Sequence, residues 1–597
     1  MQNRGRGRMM SQRTFSKPKN RKYVLVRLAK YVVKFKWWFL IALALTVGSN
    51  LFALIGPYLS GEALTLVDEG VGKIDLTRIY EIAGMMMLFY LLSSVFSYIL
   101  SIIMMKTSKK IIQSLRQDVF DKLCQLPVSF FDKTPTGDII SRMSYDIDTI
   151  NTSLSHDIIQ IATSAITIIG SLVMMIIISP LLVLVFVVTI PISLLFTRFM
   201  LRRTHALFKR RSQSLGELNG YVEEMISGEK TIKAYGNETK VLRDFDEINN
   251  EATLASYKAE YYGSITGPGV NFVNNLSLSL ICLFGSLLYL FNPNFKLGKI
   301  SSFVLYSRKF SGPINEIANI FTDIQSSLAA AERVFNLLDE PNELEDKIDA
   351  AILNDALGQF DFENVSFGYL ESKIILENLN LHIKPGQMVA IVGPTGAGKT
   401  TIVNLLMRFY DCNSGDILID NESIYNITRQ SLRKNYAMVL QDTWLFEGTV
   451  YDNIAYGANN PTKEDVINAA KLARIHSFIE RLPNGYDTVL SDDGINISKG
   501  QKQLLTIARV MLTDAKVLIL DEATSNVDTQ TEKRIQEAMN KLMENKTSFV
   551  IAHRLSTIEN ADVILVVNNG KIVEKGTHLE LLNQKGFYYE LYISQYQ

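Results

Sequence analysis

The placement of apolar and charged positions divides the chain into two unlike halves. In the first, residues 37–61, 82–105, 158–197 and 261–295 carry no charge. A hydrocarbon core of about 30 Å needs roughly 20 apolar residues in helical form. The stretch 158–197 is too long for one crossing, and Ser179-Pro180 divides it into two helices joined by a tight turn. Five crossings follow. A sixth is expected from Ile300 onward, although Arg308 and Lys309 interrupt it before Pro313. Periodicity alone also allows an amphipathic soluble helix there. Parity favours six, because the basic amino-terminal tail and the soluble second half must share the cytoplasmic side.

Charge placement gives the orientation. Lys plus Arg and Asp plus Glu both total 61 in the 597 residues, so no basic excess points to nucleic acid. Residues 1–36, however, hold many Lys and Arg and no acid, which reads as a retained cytoplasmic tail rather than a cleaved signal. The loops 106–156 and 198–260 then belong inside with the basic tail, and the more acidic 62–78 outside. Both inner loops are polar and helical in pattern, so the helices should continue well beyond the bilayer. Charges within a span face an aqueous pathway or a partner; Arg308 and Lys309 are cavity candidates, with snorkelling or structural pairing as the alternative. Cys124, Cys282 and Cys412 are scattered, with no disulfide framework or zinc spacing.

After Glu340-Pro341-Asn342 the composition becomes that of a soluble α/β domain. A β-branched run, Val389–Val392, leads straight into Gly393, Pro394, Thr395, Gly396, Ala397, Gly398, Lys399 and Thr400. This is the phosphate-binding pattern GxxxxGK[ST] in its strand–loop–helix setting. Its glycines let backbone N–H groups wrap phosphates, and the following helix adds its positive end. Lys399 would reach the β- and γ-phosphates of ATP, Thr400 would ligate Mg²⁺, and Thr401 completes the loop. A second apolar run, Val517–Leu520, ends in Asp521 and Glu522. Asp521 would hold Mg²⁺ through water, and Glu522 would polarise the attacking water, as phosphoryl transfer requires.

With these motifs the chain resembles an ABC transporter of the type IV exporter kind, from about residue 25 to the end. The resemblance implies an α-helical membrane domain of six transmembrane helices with long cytoplasmic extensions, followed by an α/β P-loop ABC ATPase domain. The expected boundaries are 1–24 for the tail, 25–328 for the membrane domain, 329–356 for a linker and 357–597 for the ATPase domain. Tyr369 matches the aromatic that stacks on adenine. Gln441 matches the Q-loop glutamine that touches Mg²⁺, and His553 the switch histidine at the γ-phosphate. Ile497, Ser498, Lys499, Gly500 and Gln501 occupy the place of the LSGGQ signature, and Asp528 closes the D-loop; both would act in trans on a partner's ATP. Residues 129–142 and 229–238 resemble the two coupling-helix regions.

In this family two ATPs are sandwiched between two nucleotide domains, so a chain with one such domain needs a second half-transporter. Lys499 stands where the signature has glycine, a position that permits close backbone approach, and Asn526-Val527 alter the D-loop. A defective signature beside an intact Glu522 resembles one subunit of the bacterial heterodimeric multidrug exporters. The expected partner carries an intact signature and lacks the catalytic glutamate; a homodimer is the alternative. The implied activity is ATP-driven export of a small hydrophobic or amphipathic substrate, drug-like or lipid-like, across a bacterial cytoplasmic membrane. A lipid flippase shares this architecture, and an ATP-gated channel or regulator is less favoured. The short tail before the first span leaves no room for a protease domain, and importers commonly separate their nucleotide domains. Arg308, Lys309, Asn274 and Asn275 are candidate cavity residues; the cargo itself is not readable from the chain.

Overall fold

The computed structural model describes residues 21–68, 75–292, 295–370, 373–440, 443–490, 497–521, 528–552 and 555–596. These form two compact units, Met1–Gln125 with Pro135–Pro341, and Leu126–Thr134 with Asn342–Gln597.

The first unit is helical. It holds α1 (Arg21–Val33), α2 (Lys36–Val67) and α3 (Leu76–Gln125). The short α4 (Val128–Lys133) belongs to the second unit. Then follow α5 (Thr136–Ile178), α6 (Pro180–Ser227), the short α7 (Glu229–Tyr235), α8 (Glu238–Phe291) and α9 (Leu297–Leu338). Five of these, α2, α3, α5, α6 and α8, are long and apolar enough to cross a membrane. Ser179 is extended and Pro180 opens α6 at a position where its missing N–H costs nothing, so the chain turns where expected. Helices α3, α6 and α8 run for 50, 48 and 54 residues, well beyond a bilayer's thickness, as their polar continuations suggested. Arg308 and Lys309 do not end the sixth element: α9 is one 42-residue helix through both of them and through Pro313. It also continues through residues assigned to a linker from 329 onward.

Helices α6 and α8 pair with each other, while α9 packs on α2 and α5. The α2–α9 seam has a clear chemical logic. Pro57 lies inside α2 and has no N–H, so the carbonyl of Ala53 four residues earlier loses its helical donor. The Lys309 ammonium of α9 donates to that carbonyl at 3.0 Å. One and two turns along the same face, Tyr306 donates to the Leu54 carbonyl at 2.5 Å and Ser302 to that of Pro57 at 2.9 Å. The backbones meet at Gly61 and Gly298, where a Cβ on Gly298 would lie 1.9 Å from the Gly61 carbonyl oxygen. Around the spans, Leu184, Val187, Val188, Leu195, Phe284 and Leu290 face outward. Such a contiguous apolar surface suits hydrocarbon, not water.

The second unit is α/β. Its strands are β1 (Phe360–Phe367), β2 (Leu376–Ile383), β3 (Met388–Val392), β4 (Ser414–Ile419), β5 (Glu422–Ser423) and β6 (Tyr436–Val439). They continue with β7 (Gly448–Thr449), β8 (Val489–Leu490), β9 (Val517–Asp521), β10 (Thr547–Ile551), β11 (Val563–Asn568) and β12 (Lys571–Gly576). The six-stranded sheet has the order β12-β11-β3-β10-β9-β6, parallel except at β12, and a four-stranded antiparallel sheet has the order β2-β1-β4-β5. Side chains alternate across the parallel strands. Ala390, Val392, Leu518, Leu520 and Val550 enter one apolar core, and Val389, Ile391, Val517, Ile519, Phe549 and Ile551 enter the other. Strands buried on both faces read as continuous apolar runs. The chain entering this unit is tied down by charge: Asp346 accepts from the Arg429 backbone N–H at 2.9 Å and its guanidinium at 2.8 Å, and Glu343 accepts from Arg433 at 2.5 Å.

Candidate ATP site

Parallel register places the motifs together. Ile391 of β3 pairs with Ile551 of β10, which pairs with Asp521 of β9. The loop after Val392, the carboxylate of Asp521 and the chain leaving Ile551 therefore emerge at one edge, the carboxyl end of the parallel strands, where open α/β sheets bind ligands.

The loop 393–398 passes so close to β11 that a Cβ on Gly393 would lie 2.1 Å from the Val567 carbonyl oxygen, and its φ is +153°. Only glycine fits. Gly398, at φ +107°, turns the chain into α10 (Lys399–Leu406), whose Thr401 and Ile402 N–H groups return to its carbonyl. Ile402, Val403, Leu405 and Leu406 are buried, so α10 is held rigidly behind the loop. Pro394, Thr395, Gly396 and Thr400 are exposed, and Ala397 and Thr401 are buried. Lys399 donates to the carbonyls of Gly393 at 2.8 Å and Pro394 at 3.1 Å, lying across the mouth of the loop. Burial lowers its pKa from the ordinary lysine value, partly offset by the nearby Asp521 charge. A cation held short of counter-charge at a helix amino terminus is an anion-binding arrangement.

Tyr369 follows β1. Its hydroxyl accepts from Asn404 Nδ2 at 3.0 Å and lies 3.3 Å from Thr401 Oγ1, both on α10, so the hydroxyl end of the ring is anchored to the helix behind the phosphate loop. It remains 39% exposed, leaving a surface for a planar ligand. The signature segment opens α11 (Lys499–Met511). Ser498 caps it reciprocally with Gln501: Ser498 Oγ accepts from the Gln501 N–H at 3.2 Å, and Gln501 Oε1 accepts from the Ser498 N–H at 2.9 Å. Ile497 and Gly500 are buried, while Lys499 is exposed at the first helical position. Asp528 caps α12 (Thr529–Met543), accepting from the Thr531 N–H at 2.9 Å. Gln441, Glu522 and His553, and the departures at Asn526 and Val527, lie outside the described residues.

The cavity candidates lie on α8 and α9. Arg308 and Asn275 are exposed, Asn274 is half-buried, and Lys309 serves the Ala53 carbonyl. Three features went unread in the sequence. Pro57 signalled the opened carbonyl; the acids after Pro341 signalled the Arg429 and Arg433 anchors; and Tyr410 beside Tyr369 carried no local signal.

Comparison with known proteins agrees with this organisation. The family profile of the ABC transporter transmembrane region matches residues 39–314, and that of the ABC transporter matches residues 376–525. An uncharacterised ABC transporter ATP-binding protein of Bacillus subtilis is 42% identical over 582 residues, covering 98% of this chain and 96% of its own. A fatty acid ABC transporter ATP-binding/permease protein of Mycobacterium bovis is 42% identical over 551 residues, 92% of this chain and 86% of its own. An ATP-dependent lipid A-core flippase of Methylobacillus flagellatus is 34% identical, with 96% of each chain covered. A bacterial Atm1-family ABC exporter solved with ATP bound superposes with a TM-score of 0.73 at 29% identity, over 96% of this chain and 99% of that one. The chain belongs to the ABC transporters: it is an integral membrane exporter whose helical membrane region is fused to an ATPase that couples ATP hydrolysis to transport.

Proposed function

We propose that the chain exports an amphipathic lipid or fatty-acid-like substrate from the cytoplasmic side, by alternating access, as one subunit of a dimer with shared ATP sites. The observation that carries the ATP-driven part is the convergence of the glycine-cradled Lys399, Thr400 and Asp521 at one sheet edge. The names of two relatives, a fatty acid transporter and a lipid A-core flippase, support the substrate class. So does Lys309, a half-buried ammonium with no carboxylate partner among the described residues.

In this reading Tyr369 stacks on adenine and the loop N–H groups and Lys399 take the phosphates. The Thr400 hydroxyl and the Asp521 carboxylate are hard oxygen donors suited to Mg²⁺, which takes its remaining ligands from water and phosphate. Bound there with Gln441 beside it, Mg²⁺ would neutralise phosphate charge. Glu522 orients the attacking water and His553 contacts the γ-phosphate. The partner's Lys399-equivalent site would receive Ser498, Lys499, Gly500, Gln501 and Asp528 in trans. Lys499 in the glycine position favours a heterodimer, with hydrolysis mainly at this chain's own Glu522 site; both termini then lie in the cytoplasm. Glu522→Gln retains ATP binding and abolishes most turnover and transport; normal pumping by that variant removes the role. Vigorous ATPase by the purified chain alone, as a homodimer, favours the homodimeric reading instead.

A further inference from the structure

Around Tyr369 three rings meet edge to face. Tyr369 and Tyr410 have centroids 4.9 Å apart at 88°, Tyr369 and Phe367 5.0 Å at 84°, and Phe367 and Tyr410 5.6 Å at 63°. The far end of Tyr410 reaches α4. Its hydroxyl donates to Asp132 Oδ2 at 2.5 Å, and burial together with this carboxylate raises its pKa above the ordinary tyrosine value. In sequence α4 stands between the long membrane helices α3 and α5, yet it belongs to the compact body of the ATPase unit. Two prolines, Pro127 and Pro135, bracket it, and Phe130 and Thr134 N–H groups close its short turns. So short a helix has little stability of its own. What orders it is what it touches.

We propose that Tyr410 is a positioning residue that reports adenine occupancy to α4. The base presses on Tyr369, whose hydroxyl is pinned to α10 by Thr401 and Asn404. The ring's remaining freedom is therefore at the edge that meets Tyr410. Fixing that edge fixes the Tyr410 ring, and with it the direction in which its hydroxyl is offered to Asp132. The charge-assisted bond then holds α4, which carries the chain into the membrane helices on both sides. This route runs through the base end of the nucleotide and is separate from the phosphate end, where Lys399 and Asp521 lie. It rests on the reading of Tyr369 as the adenine platform.

The test is hydrogen exchange of the α4 amides in the full-length protein in lipid nanodiscs, with Mg²⁺ and either a non-hydrolysable ATP analogue or inorganic tripolyphosphate. In the wild type the analogue slows α4 exchange about tenfold, the scale of a charge-assisted hydrogen bond gained or lost; tripolyphosphate, which has no base, slows it less than about twofold. Tyr410→Phe keeps the ring against Tyr369 and removes the donor. It reduces the analogue's effect to that of tripolyphosphate while affinity for a fluorescent ATP changes less than about threefold. Asp132→Ala does the same, and the double variant is no worse than either single one, because both break one bond. Unchanged α4 protection in Tyr410→Phe, or additive effects of the pair, overturns the proposal. Tyr369→Ala separates its footing: it weakens ATP about tenfold and leaves tripolyphosphate unaffected if the ring is the adenine platform. Equal effects on both ligands sink that reading, whatever α4 does.

Discussion

Replacing Gly393 by alanine tests the phosphate cradle at its tightest point. The new Cβ would stand 2.1 Å from the Val567 carbonyl oxygen, at a φ of +153°. A carbon–oxygen contact of ordinary length requires that gap to open by about 1 Å. Backbone held in a region shunned by side chains costs about 1–3 kcal/mol. The loop cannot relax backwards, because Val389, Ala390 and Ile391 behind it are fully buried. The strain therefore moves the loop's own N–H groups, and a displacement of about 1 Å at a reacting centre costs about 10²-fold in rate. The variant should lose about 100-fold in ATPase while its melting temperature falls about 2–4 °C for each kcal/mol of strain.

Gly386 supplies the control. It has φ +76° in the turn between β2 and β3, and a Cβ there meets nothing within 4 Å. Gly386→Ala pays about 1 kcal/mol of backbone strain and leaves ATPase per folded molecule unchanged. The assay is steady-state ATPase in detergent or nanodiscs, with melting followed on the same preparation. Wild-type turnover by Gly393→Ala, or equal losses in the two variants, refutes the cradle geometry.

Asp346→Ala removes an acceptor from the nearly buried Arg429 and should destabilise the ATPase unit by about 1–3 kcal/mol, read as a lower denaturation midpoint. Asp528 has its pKa lowered by the Thr531 backbone N–H and side chain, so its contribution is present above the unfolded carboxyl pKa and disappears as pH falls through the native value; the stability gap between wild type and Asp528→Ala should close in acid and persist at pH 7. Lys309→Met leaves the Ala53 carbonyl without its donor and removes the charge offered to an anionic headgroup; stimulation of ATPase by oleate should fall about tenfold, while stimulation by a neutral acyl alcohol should not. Equal loss with both ligands would make Lys309 a structural pair only.

The legible parts of the molecule were those with a local chemical signature. Uncharged stretches of membrane length gave five helices, Pro180 gave the turn between two of them, and the glycine pattern gave a loop whose Gly393 and Gly398 are held at positive φ. Arg308 and Lys309 looked like an interruption because hydropathy averages over a window. It cannot register that a proline on another helix has opened a carbonyl for a lysine. The beginning of the soluble half was placed by composition, yet α9 runs to Leu338 and the Arg429 and Arg433 anchors begin at Glu343, pairs separated by more than 80 residues. Tyr410 meets Asp132 across 278 residues, and no local pattern encodes such a contact. Asp528 was matched for a role toward a partner's nucleotide, and within its own chain its carboxylate caps a helix.

Alternating access driven by ATP can be observed without knowing the cargo. With Cys124, Cys282 and Cys412 replaced by serine and a single cysteine placed at Asn275, labelling by a membrane-impermeant maleimide reports which side the membrane region opens to. Labelling from outside should rise at least about tenfold when ATP and vanadate trap the closed nucleotide sites, and Lys399→Ala should abolish the rise. Labelling that is equal with and without nucleotide, or a full response in Lys399→Ala, would contradict the account.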